Sequence, residues 1–231
     1  MRQVVLDTET TGLEHSKGHR IIEIGCIELI NRQITPRHYH IYINPERPID
    51  PGAQQVHGIT AEFLKDKPIF KNIFQIFLEF IDGAELIIHN AAFDVGFINH
   101  EFNLINYTER NVNDHCQITD TLALAKRLHP GQRNSLDALC KRYHVDNTHR
   151  ERHGALLDAT LLAHVYLAMT GGQASLFEEE NARSITTKRN ETKAAPIKQV
   201  TLPVIYANEE ESLAHQQTLE RIKKENGKCV W

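Results

Sequence analysis

The sequence predicts an α/β fold: a mixed five-stranded sheet flanked by helices, followed by a flexible linker and a partner-binding C-terminal tail. Three observations carry that expectation. Strand-type runs cluster at the start of the chain, strand and helix patterns then alternate, and apolar periodicity stops near residue 172. With 231 residues, 41% of them hydrophobic, the chain can bury a full core over most of its length.

Val4, Val5 and Leu6 in "RQVVLDTETTGL" form a short β-type run closed by threonines and Gly12. "RIIEIGCIELI" (20–30) and "RHYHIYINP" (37–45) are the next two strands, close enough in sequence for an antiparallel meander. "PIFKNIFQIFLEFIDG" (68–83) is a helix whose apolar face is Ile69, Ile73, Ile76, Phe77 and Phe80, starting at Pro68 and stopping at Gly83. "ELIIHN" (85–90) is a short buried strand, and "AAFDVGFINHEFNLI" (91–105) is a helix directly after it. "QITDTLALAKRLHP" (117–130) reads as strand then helix. "NSLDALCKRYHV" (134–145) is a helix capped by Asn134 or Ser135, and "GALLDATLLAHVYLAM" (154–169) is another, ended by Gly171 and Gly172.

The expected organisation is a folded domain over 1–172, a short peptide at 173–177, a polar linker over 178–199 and a tail over 200–231. The tail holds a β-like run, "VTLPVIY", and a short helix, "EEESLAHQQTLERIKKENG". It is too small to bury a core alone and is expected to fold on a partner. Residues 1–172 carry 17 Lys+Arg against 21 Asp+Glu, so the domain cannot coat a polyanion by charge alone. Cys26, Cys116, Cys140 and Cys229 have no CxxC spacing, which argues against a zinc site. Charged Arg2 and Asp7 bracket only a short apolar run, and no run approaches a membrane span, so a soluble cytoplasmic protein is expected.

The chemistry concentrates in acids. Asp7 and Glu9 are two apart, so a strand would put both carboxylates on one face, where they repel. A hard divalent cation relieves that repulsion; a solvated strand end is the plain alternative. Asp94 falls in the first turns of a helix, where it would also compensate the helix dipole, and Asp158 has the same double reading. His153 precedes Asp158 by five positions. On a helix that is ~500°, which separates the side chains, so a histidine serving the same site must lie in the loop before the helix, with Gly154 as a pliable junction. Converging carboxylates plus a histidine suit metal-assisted hydrolysis, in which a neutral imidazole takes the proton of the attacking water.

"DTET", "HNAAFD" and "HGALLD", in that order, resemble the three motifs of the DnaQ-like DEDDh exonuclease family. The resemblance implies a ribonuclease H-like fold and 3′-to-5′ hydrolysis of nucleic acid with two Mg²⁺ or Mn²⁺ ions. It places the metals on Asp7, Glu9, Asp94 and Asp158, with Asp7 bridging, and makes His153 the general base. "INPERPIDPGAQQVHGIT" resembles the family segment lining the terminal nucleotide's pocket, which adds Gln55, Val56 and His57 to Asp7, Glu9 and Asp158 as substrate-binding residues. His57 is one of 14 histidines, most expected on the surface.

The stretch after the domain is similar to replicative proofreading members of the family. "QASLF" resembles a sliding-clamp docking peptide with Gln173, Leu176 and Phe177 as its anchors. The tail would bind a polymerase subunit, with Trp231 an anchor or a frayed end. The resemblance also implies a small theta-type accessory subunit in some bacteria. Lys126, Arg127, Arg133, Lys141, Arg142, Arg150 and Arg152 either steer phosphates toward the site or form a solvated face. Three functions are weighed: a proofreading exonuclease acting on single-stranded or frayed 3′ DNA ends, an RNA-trimming relative, and a catalytically idle scaffold joining polymerase to clamp.

Overall fold

The structure, a computed structural model, describes residues 1–107, 111–150, 152–171 and 208–226. The chain divides into two units, Met1–Leu176 and Phe177–Trp231. The first is built on a five-stranded sheet of order β3-β2-β1-β4-β5. Its strands are β1 (Arg2–Thr10), β2 (Ile21–Ile30), β3 (Gln33–Tyr42), β4 (Glu85–Ile88) and β5 (Gln117–Asp120). The meander is present: β1 pairs antiparallel with β2, and β2 with β3. β4 lies parallel to β1 on the other side, and β5 parallel to β4.

Alternation along the strands sorts two cores. Val4, Leu6, Ile24, Cys26, Leu86 and Ile88 face one cluster, filled by Phe70, Phe77, Phe97 and Phe102. Val5, Ile27, Leu29 and Ile87 face the other, filled by Leu139, Leu162, Val165 and Met169. Side-chain period two explains the split, and burial on both faces explains why β1 and β4 read as continuous apolar runs. The first cluster is covered by α3 (Phe70–Ile81) and α4 (Ala91–Leu104). The second is covered by α6 (Thr121–Leu128), α7 (Leu136–Tyr143) and α8 (Ala155–Gly171).

Three short helices escape the periodicity reading: α1 (Pro51–His57), α2 (Ala61–Leu64) and α5 (Val112–His115). Each is too brief to show an apolar stripe; caps define them instead, with Pro51 at the start of α1 and an Asn111–Asp114 capping box on α5. Corrections elsewhere are small. β3 begins at Gln33 rather than 37. Ile76, expected on the buried face of α3, is 62% exposed, and Phe70 and Ile81 take its place in the core. α3 starts after Pro68, with Ile69 at its N-cap. Ser135, not Asn134, caps α7 by accepting from Ala138 N. α8 runs through Gly171, where Arg32 donates to Leu167 O and Thr170 Oγ1 and so places a cation at the helix C-terminus.

One close approach seats α8. Gly25 sits opposite Asp7 in the β1–β2 ladder. A Cβ there would lie 2.2 Å from Leu156 N and 2.3 Å from Ala155 C, the backbone of the first turn of α8. Only glycine lets that turn, and Asp158 within it, come down onto the sheet. Gly25→Ala is therefore expected to cost about 1–3 kcal/mol of stability through overpacking. It should also lose most activity, as read by thermal melting alongside a nuclease assay. Unchanged values of both would mean that α8 is held elsewhere.

In the second unit the described residues form α9 (Glu209–Asn226), the short helix expected in the tail, with Asn208 accepting from Glu211 N at its start. The "VTLPVIY" run, the linker, Gly172, "QASLF" and Trp231 lie outside the described residues. No helix among the described residues is long and apolar enough to cross a membrane.

Candidate active site

The site lies where β1, β4, α4 and α8 meet. β1 carries Asp7 and Glu9 on the face that packs against α8, the parity shared with Val5. Thr8 has the opposite parity and faces α4, where its Oγ1 donates to Asp94 Oδ1 at 2.7 Å. The ladder shifts register between Glu9 and Thr10, an irregularity that re-aims the end of the strand. Asn90, in the left-handed region at φ 65°, makes the abrupt turn from β4 into α4. Asp94 and Asp158 both occupy the first turn of their helices. His153 lies in the loop before α8, as the five-residue spacing required, and its Nδ1 is 3.3 Å from Asp158 Oδ2. Its backbone N–H donates to Val56 O at 3.3 Å, which ties the loop to the end of α1.

The five residues expected to do the chemistry thus line one cleft of about 490 Å³, with His89, Asn90, Phe93, Leu122 and Leu136 among its walls. Ligand atoms of Glu9, His153 and Asp158 all lie within 4.8 Å of one another, a separation one cation can span. The donor set of four carboxylates and at most one imidazole nitrogen fits a hard, oxygen-preferring ion such as Mg²⁺ or Mn²⁺.

The electrostatics show the strain of assembling these acids. Burial, then Asp94, Glu9 and Asp158, raises Asp7 well above the ordinary carboxyl range. Burial, then Asp158, Glu23 and Asp94, pushes Glu9 up to about 8; Glu23 stands directly opposite it in the ladder. Burial lifts Asp94 to about 7 in spite of the Thr8 hydrogen bond. Asp158 differs: burial raises it, but the neighbouring His153 ring and the Arg150 fork outweigh that and hold it low.

These shifts have a sign. In the unfolded chain the carboxyls lose their protons near pH 4, whereas the folded chain keeps them on Asp94 and Glu9 to about 7 and 8. Their contribution to stability is full below about pH 4 and is lost as pH rises toward 8. In chelator the chain should therefore melt at higher temperature at pH 6 than at pH 8.5. Saturating Mn²⁺ should raise the melting point more at pH 8.5, because it binds the ionised carboxylates. A chelated melting point that rises with pH would contradict the assignment.

The expected substrate residues separate. Gln55 lines a neighbouring cavity with Gln54, Thr60 and Arg152, outside the acidic cleft. Val56 is 47% exposed beside it. His57 is buried rather than on the surface; its Nδ1 accepts from Ile59 N, and among the described residues its Nε2 has no partner. Burial holds its ring below the ordinary histidine value. Two of the basic residues are not free to steer phosphates: Arg142 donates to Asn134 Oδ1 and Arg133 O, and Arg150 is locked onto Asp158 and Asp137. Thr8 and Asp137 went unread. Thr8 lies inside "DTET" with the parity to reach α4, a signal that was available; Asp137 reads in sequence only as a first-turn acid.

Clustered carboxylates at a strand end, an adjacent histidine and an open cleft on this sheet define the site of a hydrolase of the nuclease class. A family model described as an exonuclease matches residues 4–166. The DNA polymerase III subunit epsilon of Salmonella typhimurium strain LT2 is 49% identical, with 100% of this chain and 97% of the relative covered. That of Escherichia coli K12 is 48% identical over the same shares. Among solved structures, exonuclease X in complex with 5′ overhanging duplex DNA superposes with TM-score 0.58 at 26% identity, covering 74% of this chain and 95% of that one. Exonuclease I, at TM-score 0.63 and 16% identity, covers 79% of this chain and 43% of its own length and shares the fold. The chain belongs to this exonuclease family and, within it, to the DNA polymerase III epsilon subunits.

Proposed function

We propose that this chain is the proofreading 3′-to-5′ exonuclease of a DNA polymerase III core, removing mispaired 3′-terminal nucleotides from DNA. The observation that carries the reading is the meeting of Asp7, Glu9, Asp94, Asp158 and His153 in one cleft of a chain that matches epsilon subunits end to end. Asp7, Glu9, Asp94 and Asp158 would hold two Mg²⁺ or Mn²⁺ ions, which neutralise the phosphate and supply hydroxide at neutral pH. His153 takes the proton of the attacking water. The new P–O bond forms as the bond to the 3′ oxygen breaks, and that oxygen is protonated from solvent. The products are a nucleoside 5′-monophosphate and a strand one nucleotide shorter.

Gln55, Val56 and His57 flank the loop that carries His153 and are the residues to hold the terminal nucleotide. A mispaired end frays at little cost, so selection needs no reading of base edges. The tail from residue 200, with α9 in it, would dock the polymerase (alpha) subunit. Gln173, Leu176 and Phe177 would dock the sliding clamp, and a theta-type subunit would bind where a genome supplies one. On this reading the chain works in a cytoplasmic replisome.

The test is a time course of labelled primers with paired, mispaired and single-stranded 3′ ends beside an RNA oligomer. Faster loss of mispaired and single-stranded DNA ends is expected. A preference for RNA would replace this reading with an RNA-trimming enzyme, and metal-independent silence on every substrate would replace it with a scaffold.

A further inference from the structure

Arg150 makes more of the site's contacts than any role assigned to it so far explains. Its side chain is 7% exposed. Nε lies 2.5 Å from Asp158 Oδ1 and Nη2 lies 2.6 Å from Asp158 Oδ2, so the guanidinium fork holds both oxygens of one carboxylate. Nη1 donates to Asp137 Oδ1 at 2.6 Å, which anchors the fork to α7. Nη2 also meets His153 Nδ1 at 2.8 Å.

Two consequences follow. A cation that takes Asp158 as a ligand must share or displace the fork. And because a guanidinium only donates, His153 Nδ1 must accept from it, leaving the ring's proton on Nε2. A base acting through Nε2 needs the opposite tautomer, with Nδ1–H directed at an acceptor; Asp158 Oδ2, 3.3 Å away, is that acceptor once Nη2 has moved. We propose that Arg150 is a positioning residue that competes with the metal for Asp158 and holds His153 in the idle tautomer, so that metal arrival and readiness of the base are one event. The Asp137 contact gives the displaced guanidinium a partner on which to remain. This inference rests on the proposed reading of Asp158 as a metal ligand and His153 as base.

The experiment measures Mn²⁺ binding to the full 231-residue chain by electron paramagnetic resonance, for wild type, Arg150→Lys and Arg150→Met. Lysine keeps the charge but loses the fork; methionine removes both. Affinity should rise in the order Arg, Lys, Met, with about tenfold between the ends, the size expected for removing one nearby charge. The ¹⁵N shifts of the His153 ring, without metal, should move from the Nε2–H toward the Nδ1–H form in Arg150→Met. If Arg150 served only to hold the carboxylate in place, affinity would fall in the same order and the ring would not change, and the proposal would be overturned. Should Arg150→Met fail to fold, the Arg-to-Lys step decides by its sign. A wild-type chain that binds no Mn²⁺ would overturn the metal reading itself, a separate outcome.

Discussion

Asp7→Ala should lower hydrolysis of DNA ends by about three orders of magnitude or more, the rate equivalent of the several kcal/mol that a metal contributes to a phosphoryl transition state. The same change should leave the fold intact. Asp7 sits mid-sheet, where burial and three neighbouring carboxylates raise its pKa, and among the described residues its side chain makes no hydrogen bond. Alanine therefore removes repulsion and leaves no partner stranded. In chelator the variant should melt at or above the wild-type temperature. Circular dichroism and melting, run beside the nuclease assay, separate loss of the metal site from loss of the fold. A variant that unfolds would show that Asp7 has a structural partner as well.

His153→Ala should behave differently. The loop stays tied to α1 through the backbone bond to Val56, and Asp158 stays fixed in the first turn of α8, so the substrate still finds its place. What disappears is a proton acceptor, a loss of about 10²–10⁴ in kcat. KM should stay within about threefold, the pattern of a group needed mainly in the transition state. A large rise in KM with kcat preserved would instead make His153 a substrate-binding residue. Because nearly half of the imidazole's surface is exposed, the ring can reach an incoming water without reorganising the core.

The parts of this arrangement that were legible in the sequence are those set by periodicity. Val4 to Leu6 and Ile87 with its neighbours announce strands buried on both faces, and the closely spaced runs after β1 announce a meander. The two-residue spacing of Asp7 and Glu9 implied a shared face, and the five-residue spacing of His153 and Asp158 implied a loop histidine; both hold. Local rules do not reach the long-range approaches. Gly25 reads as an ordinary strand glycine until α8 is set down upon it. Ile76 fits an apolar stripe on α3 but falls at its margin, because Phe70 and Ile81 fill the core first. His57 was named through resemblance alone, with most of the 14 histidines expected at the surface; α1, too short to show a stripe, buries it. Arg150 counted as one more positive charge, since nothing local says that its fork closes on a carboxylate eight residues away. The nucleotide-pocket residues rest on family resemblance in the same way, for their spacing carries no chemistry of its own.

The most direct test of the central claim is the release of mononucleotides from the 3′ end of a labelled, mispaired primer by wild type and Asp7→Ala, each with Mn²⁺ and with chelator. Stepwise shortening from the 3′ end by wild type with metal, and none in the other three conditions, is the predicted result. Equal shortening by Asp7→Ala, or by wild type in chelator, would contradict the metal-ion site described here.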